Sequence, residues 1–390
     1  MEIHTLTNTF LPTKAFELAQ KKGYATALWR LPEQETIHCI VDFSKEIKAQ
    51  PIDFSAEGFV FSPFFNEEGK KNFFIEAQLA FSSDNEPQEK NNFSQIQKKF
   101  LEELLLQDLP QTQNKSTSFV LEHSSQKDYL QLVQEAISYI CEGHCQKIVL
   151  SRRQKVFFND TPNLCHWFEA LCEAYPDAHV SLVSIPNVGV WLGASPEILV
   201  SLDKNLIFRT MALAGTQAYQ GGDLTTATWT QKEIEEQALV SRYIINAFKK
   251  IRLREFEEDG PKTIRAGNLL HLRTDFWVDL KQVEFPSLLP TMLQLLHPTS
   301  AVCGMPKKES LEFILMNEGY NREFYSGFLG QVNFRDETHI FVNLRCMQIF
   351  DTSAYLYAGG GVTAHSQPQK EWQETIYKMQ TLLNVLSNNT

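Results

Sequence analysis

Two segments carry carboxylates at helical spacing. In "TWTQKEIEEQALVSRYIINAFKK", Glu236 shares a face with Val240, Tyr243 and Ala247, and Glu233 stands one turn earlier. In "QPQKEWQETIYKMQTLLNVL", Glu371, Glu374 and Lys378 form a stripe beside an apolar one of Trp372, Ile376, Met379, Leu383 and Leu386. Glutamates presented by two helices to one divalent cation would suit Mg2+, which prefers oxygen donors, keeps several waters and also takes substrate oxygens. The plainer reading is a pair of solvated stripes. Charged residues are rarely buried without a partner, and intrahelical ion pairs contribute only a few tenths of a kcal/mol.

Other residues stand out because their neighbours are apolar. Lys147 opens the run "KIVLSRRQKVFF", and Glu197 follows Pro196 between two apolar runs in "WLGASPEILV". A carboxyl enclosed there would have its pKa raised and could stay protonated as a general acid. A lysine acting as a base near neutral pH would need its pKa lowered by ~3 units, a shift that burial favours. Spacing alone does not bring the two together, and a charge at a strand end is the ordinary alternative. Arg345, inside "FVNLRCMQIF", wants a carboxylate from the protein or from a ligand. The glycines of "LYAGGGVTAHSQP" (Gly359, Gly360, Gly361) permit close backbone approach with amides free to face an anion, or simply a tight turn. They lack the spacing of a dinucleotide fingerprint.

The elements that must position these residues read as α+β. "SSQKDYLQLVQEAISYICEG" has Ser125 as a candidate N-cap, apolar residues at helical spacing and a stop at Gly143. Further helices are expected at about 229–250, 308–316 and 367–387. "KIVLSRRQKVFF" reads as a strand, as do "VSLVSI", "GVWLGA", "ILVSL", "LIFRTMAL", "GFLGQVNF", "HIFVNLRCMQIF" and "SAYLYAGGGV". Short links between successive strands favour antiparallel sheets with helices on their faces. Residues 1–80 mix a helical opening with strand-like runs. A polar excursion around 81–99 and a short helix, "FLEELLLQDL", come next, and "PQTQNKSTS" is a second polar stretch. The expected division is 1–115, an N-terminal part of the same α+β unit, and 116–390, the catalytic region.

The 390 residues carry a net charge of −11, which argues against a nucleic-acid-coating surface while leaving room for a local basic site. No apolar run reaches the ~18–20 residues of a membrane span. The first residues show no basic stretch followed by an apolar core, and the seven cysteines are an odd number, so reduced thiols and a cytoplasmic protein are expected. Cys141, His144 and Cys145 lack a second ligand pair at zinc spacing, so a structural zinc is not expected.

The segments "KIVLSR", "GASPEILV", "ALAGT", the helix from Lys232 to Glu236, "LLHPTSAVCGMP", "GYNREFYSGFLG", "NLRC", "AGGGV" and "EWQET" occur in an order that resembles the chorismate-utilising enzymes. That family includes isochorismate, salicylate, anthranilate and aminodeoxychorismate synthases. The resemblance covers roughly 120–387 and implies one large α+β unit of two similar halves around a pair of packed antiparallel sheets.

It also implies roles. Glu236 and Glu374 match Mg2+-ligating glutamates, with Glu233 and Glu371 in support. Arg345, Tyr325, Lys378 and the backbone of Gly359, Gly360 and Gly361 match positions holding the carboxylates of chorismate. Gly215 and Thr216 match a further substrate-contacting turn, and His271 a histidine near the ring. Lys147 matches the base that activates water in isochorismate and salicylate synthases, and Glu197 the acid that protonates the departing C4 hydroxyl. Ala301, followed by Val302, resembles members that stop at isochorismate without eliminating pyruvate. Gln237 departs from relatives that have histidine after the metal glutamate. The expected protein is a Mg2+-dependent isochorismate synthase, a monomer or weak homodimer, feeding menaquinone or siderophore synthesis. Salicylate formation and chorismate amination are the alternatives.

Overall fold

Strands that are covered on both faces read as nearly unbroken apolar runs, and this chain is rich in them. A computed structural model describes residues 11–66, 71–84, 93–106, 119–122, 125–219, 221–267 and 269–388. The first part runs α1 (Leu11–Lys22), β1 (Ala25–Arg30), β2 (Ile37–Asp42), β3 (Gly58–Ser62), β4 (Phe73–Glu76), β5 (Leu79–Ser82), α2 (Gln95–Leu106) and β6 (Phe119–Leu121). Next come α3 (Gln126–Cys141), β7 (Lys147–Phe158), α4 (Leu164–Ala174), β8 (His179–Ile185), β9 (Gly189–Ser195), β10 (Ile198–Leu202) and β11 (Ile207–Ala218). Then follow α5 (Gln231–Lys250), β12 (Glu257–Ala266), β13 (Leu269–Asp279), α6 (Leu288–Leu296), β14 (Gly304–Met305) and α7 (Lys307–Asn317). The chain finishes with β15 (Phe328–Phe334), β16 (Glu337–Val342), β17 (Cys346–Ile349), β18 (Ser353–Val362) and α8 (Pro368–Asn388). The stretch "PQTQNKSTS" and the excursion's residues 85–92 lie outside the described residues.

Pairing is antiparallel throughout and builds two sheets. One has ten strands, in the order β14-β7-β18-β17-β9-β8-β1-β2-β5 with β6 also on β7; the other has eight, β12-β13-β11-β10-β16-β15-β3-β4. The N-terminal strands extend both sheets, since β1 pairs with β8 and β3 with β15.

The sheets face one another. Trp29, Phe59, Phe61, Trp191, Phe341 and Tyr357 from both fill the space between them. On the far side of the larger sheet, alternate residues such as Leu28, Leu182 and Leu356 pack beneath α1, α4 and α8. Helices α5 and α6 cover the smaller sheet through Val240, Ile244, Phe248, Leu289 and Met292. The result is helices, sheet, sheet, helices, which is the α+β class and paired antiparallel arrangement that the sequence implied.

One run that reads as a single strand, and a pair of strand runs joined through Pro196, change sheets. "HIFVNLRCMQIF" is β16 in the smaller sheet and β17 in the larger, with Asn343, Leu344 and Arg345 as the crossing. Arg345 adopts a left-handed φ of 48°, which a residue in mid-strand does not. "WLGASPEILV" likewise passes from β9 to β10 through Pro196 and Glu197. The crossings are tied together: Ser195 Oγ donates to Val342 O at 2.5 Å, Val342 N to Glu197 O at 3.0 Å, and Ala194 N to Arg345 O at 3.1 Å.

The glycines in "AGGGV" form no turn. They are extended residues of β18, with Gly359, Gly360 and Gly361 opposite Ser151, Leu150 and Val149 of β7. Helix α8 also differs from its sequence reading. Its buried side includes Glu371, Thr375, Met379, Leu382 and Val385, so the charged stripe lies partly inward, and Trp372 and Ile376 are only half-buried.

Candidate active site

Where the two crossings meet the end of β18, the sheets part around a small cavity of about 70 Å3. Its lining includes Glu197 and Arg345 from the crossings, Gly215, Thr216 and His271 from β11 and β13, and Ala301 from the loop after α6. Tyr325, Gly359, Gly360, Gly361, Glu236 and Lys378 complete the set. Val149, Pro196, Val302, Leu344, Tyr357 and Ala358 also line it, and sequence reasoning gave most of these no role. Val149, Tyr357 and Ala358 are ordinary strand residues and Pro196, Val302 and Leu344 lie in connections, and only the fold turns them toward the cavity. Lys147, Glu374, Glu371 and Glu233 lie outside the lining.

Lys147 sits immediately behind it. A Cβ on Gly361 would overlap Glu236 Oε1 and stand 2.7 Å from Lys147 Cε, so glycine is required here for close approach, with no unusual φ involved. The lysine is fully buried, with Nζ 2.8 Å from Glu236 Oε1. The contact is near enough for an ion pair, yet its alignment leaves Nζ without a hydrogen bond of good geometry. A buried amino group with unfilled hydrogen-bonding capacity beside a cavity is a feature that a small polar ligand would satisfy.

Glu197 is 4% exposed. Burial pushes its carboxyl up to about 8 against the opposing pull of Lys147 and Lys378, so it is protonated at neutral pH. That state is the one a proton donor needs.

Arg345 is buried at the left-handed turn. Its Nη1 donates to Thr381 Oγ1 at 2.9 Å and its Nη2 lies 3.1 Å from His271 Nε2. It makes no ion pair with a carboxylate among the described residues, which leaves a ligand's carboxylate as the natural counter-charge. Burial and the neighbouring Arg345 hold His271 down at about 3, so the ring is neutral. Because Arg345 can only donate, Nε2 must accept, and Nδ1–H donates to Gly215 O at 2.7 Å. His271 thus links the Gly215 turn to the guanidinium.

The glutamates of α5 and α8 come together across the ends of their helices. Lys232 Nζ bonds Glu371 Oε1 at 2.6 Å, and Lys378 Nζ bonds Glu374 Oε1 at 2.7 Å and Gly359 O at 2.7 Å. Burial opposes ionisation of Glu236, but Lys147 and Lys232 hold its carboxyl down to about 2. Burial and the like charge of Glu374 raise the Glu371 carboxyl, with Lys232 opposing. Lys232 was legible only as an ordinary partner of Glu236 one turn along the same helix; its bond to α8 depends on the tertiary fold.

These residues fit a divalent cation in kind. Gly360 stands against Glu371 Oε2 and Glu374 Oε1, a Cβ there being 2.9 and 3.7 Å away, and Gly361 against Glu236, so three carboxylates converge on one stretch of β18. Glu371 Oε2 is buried without a hydrogen-bond partner. Among the described residues no three His, Cys, Asp or Glu are gathered as a ready-made cage. Lys232 and Lys378 serve as counter-ions to Glu371 and Glu374 instead. Glu233 is placed elsewhere: its Oε2 accepts from Thr230 N at 3.0 Å and from Thr230 Oγ1, capping α5. Gln237 points away from the site, with Nε2 donating to Ala212 O at 3.2 Å and Thr274 Oγ1 at 3.0 Å.

Comparison with known proteins agrees with this geometry. The chain is 27% identical over 266 residues to the isochorismate synthase EntC of Escherichia coli, covering 67% of each chain. It is 30% identical over 267 residues to E. coli isochorismate synthase MenF, covering 66% of this chain and 60% of that one. The solved structure of E. coli MenF superposes with a TM-score of 0.77 at 21% identity, over 96% of this chain and 91% of that one. That of a putative isochorismate synthase, DhbC from Bacillus anthracis, superposes with a TM-score of 0.74 at 24% identity, over 95% and 99%. The family model described as chorismate binding enzyme matches residues 24–387. The chain belongs to the chorismate-binding enzyme family.

Proposed function

We propose that this enzyme is an isochorismate synthase, dependent on Mg2+, that adds water at C2 of chorismate and expels the C4 hydroxyl. The observation that carries the reading is the pairing of roles around one cavity. A buried lysine with unfilled donors stands behind one wall, and a carboxyl protonated at neutral pH lines another. Arg345 and Lys378 offer cationic anchors for the two carboxylates of the substrate. Acting as the neutral amine, Lys147 accepts the proton of the attacking water, and Glu197 delivers one to the departing hydroxyl. Glu236 and Glu374 are the residues to hold Mg2+, with Glu371 beside them; the cation's contribution when bound is to polarise the ring carboxylate. The two walls hold the ring between base and acid, so positioning and proton transfer supply most of the rate.

Isochorismate formed here would be consumed in menaquinone or siderophore synthesis, and the similar E. coli MenF is described as menaquinone-specific. Purified protein incubated with chorismate and Mg2+ should yield isochorismate without pyruvate, and added ammonium should give no aminated product. Stoichiometric pyruvate would make the enzyme a salicylate synthase, and amination would refute Lys147 as an activator of water. The same assay checks Gly361→Ala: the added methyl displaces Glu236 or Lys147, and turnover is expected to fall at least ~10-fold.

A further inference from the structure

Neither Arg322 nor Glu318 lines the cavity, yet the two are 2% and 1% exposed at the side chain and fully ion-paired. Arg322 Nε donates to Glu318 Oε2 at 2.7 Å, and Nη2 reaches Oε1. Burying such a pair carries a large desolvation penalty, and apolar residues of similar volume often give equal or greater stability. Its other bonds suggest what it does instead.

Strand β7, which begins at Lys147, is paired along one edge with β18 for ten residues. On its other edge β14 covers only Lys147 and Ile148. Between there and the stretch from Val156 to Phe158 that β6 covers, side chains supply bonds that a strand would otherwise make. Val149 O accepts from Arg322 Nη2 at 2.7 Å, and Ser151 N donates to Glu318 Oε1 at 2.7 Å. Ser151 Oγ lies 3.0 and 3.1 Å from the same carboxylate. The guanidinium's remaining arm, Nη1, donates to Val302 O at 2.9 Å, and Phe64 lies under its plane at 4.3 Å. Val149 and Val302 are both cavity wall. The ion pair therefore adds to the backbone bond from Val149 N to Cys303 O at 2.9 Å in holding the strand that begins with the buried lysine against the loop that carries Ala301 and Val302.

We propose that Arg322 and Glu318 are positioning residues that hold β7 and the 299–303 loop in the geometry the reaction needs. The proposal rests on the isochorismate synthase reading for its kinetic consequence, though not for its structural one. Small misplacements of reacting groups by residues that never touch substrate are enough to cost ~10²-fold in rate.

The test is the double variant Arg322→Met/Glu318→Leu, which removes both charges together and leaves no orphan charge, beside Arg322→Lys and Ser151→Ala. Expected for the double variant is a lowered melting temperature, because Ser151 N, Val149 O and Val302 O lose their partners, with a kcat lower by 10- to 100-fold and a KM changed less than threefold. Arg322→Lys, which keeps the charge and part of the bonding, should recover part of kcat. Amide hydrogen exchange at residues 149–151 should quicken at least tenfold in the double variant while the rest of β7 keeps its protection. Should the double variant not fold, Ser151→Ala takes its place, with a several-fold kcat loss and an unchanged melting temperature expected. Parent-like kcat in the folded variants, or unchanged exchange, overturns the proposal; so does an Arg322→Lys protein whose kcat, KM and melting temperature all fail together. A parent without chorismate turnover would refute the functional reading alone, because the exchange measurement still decides the positioning role.

Discussion

Lys147→Ala should lower kcat for chorismate conversion by about 10²- to 10⁴-fold, the range for losing a general base. Lys147 is fully buried, 2.8 Å from Glu236, and held behind Gly361 where no side chain can intervene. Removing it deletes the lysine nitrogen that contacts Glu236. KM should change much less, because the proposed carboxylate anchors, Arg345 and Lys378, are untouched. Lys147→Arg separates charge from basicity: it keeps a cation near Glu236 but cannot give up its proton at working pH. Both variants should be equally slow if Lys147 acts as a base. A Lys147→Arg protein that recovers most of the activity would reduce the lysine to a counter-ion.

Glu197→Gln should be nearly as damaging, again about 10²- to 10⁴-fold, since the amide fills the same space and donates hydrogen bonds but transfers no proton. It should also change two pH profiles in opposite senses. In the parent the required form is protonated, so kcat should decline as pH rises through about 8. That limb should vanish from the residual activity of the variant. For stability the sign follows from proton counts. Burial raises the carboxyl from 4.5 to about 8, so between those values the folded protein binds more protons than the unfolded chain and loses stability as pH rises. The variant escapes that penalty. It should melt close to the parent near pH 4 and above it at pH 8.5, even though it is the less active protein. Melting curves at the two pH values, recorded without substrate, check this independently of any assay.

Much of the architecture was legible because local signals agreed with the global fold. Alternating strands separated by short links gave the antiparallel α+β class, and Ser125 does cap α3, accepting from Asp128 N. The family was legible in the order of its motifs, and the family match over residues 24–387 bears that out. The sheet changes at Pro196–Glu197 and Leu344–Arg345 were not legible. A strand that ends in one sheet and resumes in another keeps an apolar pattern through the crossing, and nothing local marks the turn except the left-handed Arg345. The burial of Glu371 was hidden for a different reason: a glutamate three residues before another at helical spacing reads as solvated until Lys232 arrives from a second helix. The glycines of β18 were recognised as permitting close approach, but what approaches them, Glu236, Glu371, Glu374 and Lys147, is contributed by residues distant in sequence. Glu233 shows the limit of spacing in the other direction, since the same position one turn before Glu236 is also the third residue of a capping box.

The central claim is that water, activated on the Lys147 side of the cavity, is the nucleophile. It is tested most directly by a single early-time turnover of chorismate with Mg2+ in 18O-enriched water, with the product analysed by mass spectrometry. The account predicts isochorismate carrying one solvent oxygen, located at the C2 hydroxyl, in the parent enzyme and no such product above background with Lys147→Ala. Unlabelled isochorismate, or label incorporated at the parent rate by the Lys147→Ala variant, would contradict it.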